Sequence, residues 1–414
     1  MTPREQRHGV WLGDYRVGTL NQRGDYTWFT FTEEYLADPD RPVLGLVFEQ
    51  DLVARHASAL RLPAWFSNLL PEGRLRDWIA TDRRVSADRE MELLAQVGHD
   101  LPGAIRVLAE ADAPDDGWDP FTAGADPYGP DGDGEHGGWR FSLAGVGLKF
   151  SMIRHDDRLT LPAHGEGGDW IVKLPDRVYA DVPRNEHAMM SLATAVGIDV
   201  PDVTLVHRDK LDRLPPHVWP EGEDWAYAVR RFDRAEHRRP VHIEDLAQVR
   251  NVYPDRKYHG NFETIAALLY RGRDVTALRE FARRLTFIIL ISNGDAHLKN
   301  WSLIYSNQRV PTLSPAYDLV STAAYRAENE PEDLGLKFGG TRNFSRVDYR
   351  TFSRLEQRLH ANGADLADVV ADTVERTTDA WQHHADLLDV NKPLQDTVDR
   401  SIEIHRGSLM RRSS

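Results

Sequence analysis

The strongest constraint on this chain is a polar loop delivered by a long apolar segment. Val275, Leu278, Phe281, Leu285, Ile288 and Ile289 recur three or four residues apart. That spacing predicts a buried helix over 274–291 with Asp274 as its N-cap. It runs into Ser292 and then Asn293-Gly294-Asp295-Ala296-His297-Leu298-Lys299-Asn300, with Ala316-Tyr317-Asp318 following. A buried helix ending at an Asn-Gly turn holds Asp295 in a loop fixed by rigid packing, the usual way a reactive group is positioned.

Four residues separate Asp295 from Asn300. Protein kinases use this spacing for a base that accepts the acceptor hydroxyl's proton and a carboxamide that binds Mg2+. Asp295 is therefore the candidate base and Asn300 a candidate metal ligand. Asp318 is the second ligand, since Mg2+ needs few protein oxygens once phosphates are present. Lys299 is a candidate to neutralise charge on the transferred phosphoryl group, and His297 to brace the loop through its imidazole beside the nucleotide. Residues 301–305 and 310–313 form a predicted hairpin before Asp318. The alternatives are a polar surface turn at 293–300 and a helix-capping role for Asp318.

Upstream, Trp170-Ile171-Val172-Lys173-Leu174-Pro175 reads as an apolar strand interrupted by one lysine, the pattern of a strand lysine that pairs with nucleotide phosphates. Glu186, on the predicted helix that includes Met189, Met190, Ala193 and Val196, is placed to orient Lys173. A solvated strand lysine and a solvated helix glutamate are the plain alternatives. Between Phe141 and Ser151 the chain turns through Gly145 and Gly147 to Lys149. These glycines would let backbone N–H groups approach phosphates. The turn lacks Gly-Lys-Ser/Thr, which excludes a Walker-type loop. His207-Arg208-Asp209 imitates a kinase triplet but has Leu214 where a metal-binding Asn is due. Asp131-Gly132-Asp133-Gly134-Glu135 resembles a calcium loop but has His136 where Gly is needed.

At 414 residues the chain is expected to hold two or three packed units. Residues 1–110 read as an α+β domain opened by a meander of strands at Val10–Leu12, Tyr15–Leu20 and Tyr26–Phe31, with turns at Gly13 and Gly24. Residues 111–138, rich in Asp, Gly and Pro, read as a linker. A β-rich nucleotide-binding lobe over 139–234 and a helical catalytic lobe over 235–414 follow. The fold class is α+β, a protein-kinase-like bilobal arrangement behind an N-terminal domain.

With no cysteine, disulfides, thiolate nucleophiles and sulfur-ligated zinc are excluded. A net charge of −14 argues against a broad basic face for independent DNA binding, although Arg230-Arg231-Phe232-Asp233-Arg234 can form a local patch. No apolar run is long enough to span a bilayer and the start lacks the apolar core of a secretory signal, so a cytoplasmic location without membrane contact is expected.

In order and spacing, these pieces resemble the HipA family of bacterial serine/threonine kinase toxins. The resemblance covers most of the chain and extends to Asn68-Leu69-Leu70-Pro71-Glu72-Gly73, Asp100-Leu101-Pro102-Gly103-Ala104, Asn185-Glu186, Val200-Pro201-Asp202 and His242-Ile243-Glu244-Asp245. It implies ATP and Mg2+ as cofactors and a protein Ser/Thr acceptor, with aminoacyl-tRNA synthetases as the substrate class. Asp295, Asn300, Asp318 and Lys173 carry over by motif. Arg230 and Phe232 take the hinge position beside the nucleotide, where Arg230 replaces an acidic residue. Ser142 takes the place of the Gly-rich-loop serine whose autophosphorylation shuts the enzyme down, because added phosphate repels those of ATP. The implied partner is a helix-turn-helix antitoxin dimer, through which DNA is reached indirectly. Two other readings share the loop: a small-molecule kinase of the aminoglycoside- or choline-kinase type, and a non-catalytic corepressor.

Overall fold

The computed structural model describes residues 5–110, 148–162, 167–212, 214, 218–326 and 332–410. Ser142, Gly145, Gly147, the linker expected over 111–138 and the first residues of the β-rich lobe expected from Trp139 lie outside these residues.

The first sheet contains β1 (Glu5–Leu12), β2 (Tyr15–Arg23), β3 (Tyr26–Phe31), β4 (His56–Ala59) and β5 (Ile105–Ala109), in the order β4-β3-β2-β1-β5 and antiparallel throughout. Gly13 and Gly24 turn its first two hairpins at φ of 61° and 59°, a conformation open to glycine at little cost. Four helices accompany it: α1 (Glu33–Ala37), α2 (Ala64–Ser67), α3 (Gly73–Arg83) and α4 (Glu90–Val97).

The second sheet contains β6 (Lys149–His155), β7 (Arg158–Thr160), β8 (Trp170–Lys173), β9 (Val203–His207), β10 (Leu211–Asp212) and β11 (Trp225–Arg230), ordered β10-β7-β6-β8-β11-β9. The helix α5 (Val182–Val196), which has Pro183 in its first turn and ends at left-handed Gly197, packs against β9 and β11. Strand alternation on β11 divides the interior. Ala226 and Ala228 face a core shared with the first sheet, whereas Tyr227 and Val229 face a core shared with the helical lobe. Residues 5–110 therefore do not close a core alone; theirs continues into the face of the second sheet through Phe150, Met152 and Val172.

The helical lobe comprises β12 (Ile243–Asp245), α6 (Leu246–Val249), α7 (Phe262–Leu269), α8 (Val275–Leu290), β13 (Ser302–Ile304), β14 (Thr312–Leu313), α9 (Tyr349–Leu359), α10 (Leu366–His384) and α11 (Lys392–Leu409). Asp274 caps α8 by accepting from Ala277 N at 2.9 Å. Leu278, Phe281, Leu285, Phe287, Ile289 and Leu290 of α8 are fully buried, and α7, α10 and α11 all pack against this helix. β13 and β14 form the expected hairpin, and β12 adds a third strand to it. The helix α10 ends at His384 and the chain continues as a 3-10 turn over Ala385–Leu388.

Candidate active site

Between the second sheet and the helical lobe lies a cavity of about 330 Å³. Lys149, Lys173, Glu186, Asp295, Asn300 and Asp318 line it. Lys173 ends β8 and stands opposite Lys149 of β6 in the antiparallel register. Its Nζ lies 2.6 Å from Glu186 Oε1 and also bonds Asp318 Oδ1. Burial works against the charge on Lys173, but the two carboxylates outweigh it and raise its pKa. Asp318 is likewise opposed by burial, yet Lys173 and Lys149 hold it well below the usual carboxylate range. Burial pushes Glu186 up to about 7 against the pull of Lys173.

Asn185, fully buried beside Glu186 on α5, fixes the chain after Asp318. Its carboxamide accepts from Ser321 N at 3.0 Å and donates to Ser321 O at 3.0 Å. Asp318 itself has φ 56°, uncommon for a residue with a side chain. Its carbonyl accepts from Asn293 Nδ2 at 3.2 Å, so the loop that carries Asp295 also anchors Asp318.

The loop is braced mainly through its backbone. Asn293 Oδ1 accepts from Asp295 N at 3.0 Å, Asp295 O accepts from His297 N at 2.8 Å, and Asn300 Nδ2 donates to Asp295 O at 2.8 Å. The left-handed residue at the end of α8 is Ser292, with φ 51°, rather than Gly294. Glycine is needed at 294 for another reason: a Cβ there would lie 2.4 Å from Glu332 Cδ and 2.6 Å from Asp333 O.

Two loop residues differ from expectation. His297 makes no hydrogen bond through its buried Nδ1 among the described residues, while its Nε2 lies 3.7 Å from Asp295 Oδ1, beyond hydrogen-bond distance. Its ring packs edge-on against Tyr258 at 4.9 Å, and burial pushes it down to about 4, so it is neutral at pH 7. Lys299 is not a free ammonium aimed at a phosphoryl group. It is buried, donates to Asn68 O at 2.9 Å and pairs with Glu72 Oε1 at 2.9 Å, although it still borders the cavity.

At the hinge, exposed Arg230 pairs with Asp202 at 3.4 Å, and half-buried Phe232 packs on Tyr317 at 5.6 Å; both border the cavity. Arg231 between them is a structural residue, buried against Asp233 at 2.8 Å and Asp100 at 3.0 Å. His207 ends β9 and Arg208-Asp209 enters the following 3-10 turn; none of the three borders the cavity.

Sequence patterns missed Tyr258, whose hydroxyl donates to Asp295 Oδ1. Burial and the Asp295 carboxylate raise its pKa, so it remains a donor. A Lys-Tyr pair in a loop carries no periodicity that could have marked it.

Among the described residues no three His, Asp or Glu side chains converge as a metal cage. The donor set instead suits Mg2+ held partly by phosphates: the Asp318 carboxylate and the oxygen of Asn300, whose nitrogen is already committed to Asp295 O. Such an ion would neutralise charge on bound phosphates, which Lys173 and Lys149 would meet from the sheet.

A sheet-bearing lobe, a helical lobe and this residue set in the cleft between them define a protein-kinase-like fold behind an additional N-terminal domain. Residues 8–108 match the family model for the HipA N-terminal domain and residues 141–381 that for the HipA-like C-terminal domain. The chain belongs to the HipA family. It is 40% identical over 94% of its length to 95% of a Sinorhizobium fredii protein named "Putative kinase Y4dM". It is 28% identical over 76% of its length to 75% of the serine/threonine-protein kinase toxin HipA of Shewanella oneidensis. Its fold matches a chain in the complex of HipA, HipB and operator DNA from the Shewanella oneidensis MR-1 toxin–antitoxin system, with a TM-score of 0.73, 20% identity and 97% of both chains covered. No helix among the described residues is long and apolar enough to cross a membrane.

Proposed function

We propose that this chain is an ATP- and Mg2+-dependent serine/threonine protein kinase acting as the toxin of a toxin–antitoxin pair. The observation that carries the proposal is Lys173 held between Glu186 and Asp318, opposite Lys149 and above the Asp295 loop in one cavity. Asp295 takes the proton from the acceptor hydroxyl as oxygen attacks the γ-phosphorus and ADP leaves. Asp318 and Asn300 hold Mg2+, and Lys173 and Lys149 meet the phosphates. Arg230, Phe232 and His297 border the nucleotide. By the family resemblance, Gly145 and Gly147, which lie outside the described residues, are assigned to phosphate binding and Ser142 to autophosphorylation.

The kinase names of relatives support the reaction class. The HipA–HipB–DNA complex is the precedent for a DNA-binding antitoxin partner, here a helix-turn-helix dimer. A translation protein such as an aminoacyl-tRNA synthetase is the proposed acceptor, and the cytoplasm the proposed site of action.

Acceptor choice tests the proposal. With γ-labelled ATP and Mg2+, label is expected in protein serine or threonine. Label passing only to aminoglycosides or choline would overturn the protein-kinase reading, and no transfer to any acceptor would favour a non-catalytic role.

A further inference from the structure

We infer that Glu72, contributed by the N-terminal domain, is a positioning residue of the catalytic loop, so that phosphoryl transfer uses a site built from two domains. The inference rests on the reading of Asp295 as the base. Glu72 stands at the N-cap of α3, where a carboxylate ordinarily accepts from its own helix, yet its side chain makes no capping bond. It reaches across the domain boundary instead. Oε1 lies 2.9 Å from Lys299 Nζ and Oε2 3.1 Å from Lys257 Nζ.

These two lysines lie on the two chain segments that hold the base. Lys299 follows Asp295 on the catalytic loop. Lys257 precedes Tyr258, whose hydroxyl bonds Asp295, and Lys257 O accepts from Leu298 N at 3.1 Å. One carboxylate therefore joins both chain segments that hold Asp295.

Neighbouring residues of the N-terminal domain reinforce the same two segments. Asn68 O accepts from Lys299 Nζ at 2.9 Å, while Asn68 Nδ2 donates to Val252 O at 2.7 Å. Leu62 O accepts from the Tyr253 hydroxyl at 3.1 Å. A domain-docking ion pair would meet these distances too, but Glu72 also lines the cavity with Asp295 and Asn300 and so faces the substrate space. Set against two apolar residues in the same place, a buried ion pair adds little net stability, and its value here lies in fixing geometry. Small displacements of a catalytic group lower rate far more than affinity for a remote part of the substrate.

The test measures Mg2+-dependent ADP release from ATP by the full chain, with binding of a fluorescent ATP analogue as a second readout. Glu72→Gln is expected to lower kcat by roughly 10- to 100-fold while KM for ATP stays within about threefold, and Glu72→Asp to recover part of the rate. A folded Glu72→Gln protein with wild-type kcat, or one whose kcat and KM worsen in parallel, would overturn the inference. If Glu72→Gln does not fold, the charge-balanced pair Glu72→Gln with Lys299→Gln replaces it. Loss no greater than that of Lys299→Gln alone supports a shared unit, and a loss clearly greater than that contradicts it. An Asp295→Ala protein that still releases ADP at the wild-type rate would remove the kinase reading itself. An inert Asp295→Ala beside a fully active Glu72→Gln removes only the role of Glu72.

Discussion

Lys149 on β6 and Lys173 on β8 stand directly opposite each other in the antiparallel register, both facing the cavity. Like charges opposite one another destabilise a sheet unless an anion relieves them. Asp318 and Glu186 pair with Lys173; burial, with the charges of Lys173 and Lys299, pushes Lys149 down to about 8. A nucleotide's phosphates would relieve this repulsion.

The folded pKa of Lys149 lies below its unfolded value of 10.5, so the stability associated with its neutral form is fully present above pH 10.5 and is lost as pH falls through about 8. At pH 7 the half-buried charge is destabilising. Lys149→Met is expected to stabilise the nucleotide-free protein at pH 7 in urea unfolding and to weaken ATP binding roughly tenfold. Unchanged ATP affinity would remove Lys149 from the phosphate site.

Tyr258 leads to a second expectation. Removing its hydroxyl leaves Asp295 without the donor that orients Oδ1, with little change in ring packing on His297. Tyr258→Phe is expected to lower kcat about tenfold without weakening nucleotide binding, a loss typical of one charge-assisted hydrogen bond. Steady-state kinetics beside nucleotide titration checks it.

Asn185 serves both fold and site. Asn185→Ala leaves Ser321 N and O without the carboxamide that satisfies them, which is expected to cost about 2 kcal/mol in chemical unfolding. It also frees the segment after Asp318, so the Mg2+ concentration needed for half-maximal activity is expected to rise. A change in stability with an unaltered Mg2+ requirement would separate the two roles.

Glu72 gives the molecule an acid-sensitive joint. Burial alone would raise its pKa, but Lys299 and Lys257 outweigh burial and hold it at about 2 against an ordinary 4.5. A depressed carboxylate contributes stability that is present above pH 4.5 and is lost as pH falls towards 2. Ionised Glu72 is favoured over its protonated form by on the order of 3 kcal/mol on folding, a difference between protonation states distinct from the net worth of the pair. Glu72→Gln is expected to flatten the pH dependence of unfolding in that window, and an unchanged slope would contradict the pairing.

Features carried by contiguous residues were legible in the sequence. The period of α8 and its Asp274 cap, the glycine turns of the first meander, and the Lys173 strand before the Glu186 helix follow from local pattern. Features made by chain crossing were not. Lys299 meets Asn68 across 231 residues, β12 joins the β13–β14 hairpin from far upstream, and Tyr258 reaches Asp295 from a loop. Lys299 is the instructive case. Its place on the catalytic loop suggested a free charge for the phosphoryl group, but a glutamate from another domain already holds it. The loop glycine also serves close packing instead of a left-handed turn, since Ser292 takes that conformation.

The central claim is that Asp295 is the base of a protein kinase. Its most direct test is phosphoproteomics of cells expressing the wild-type chain beside cells expressing Asp295→Ala, with both proteins confirmed folded. New serine or threonine phosphorylation on a cellular protein is expected with the wild type and none with the variant. The same phosphosites in both, at equal occupancy, would contradict it.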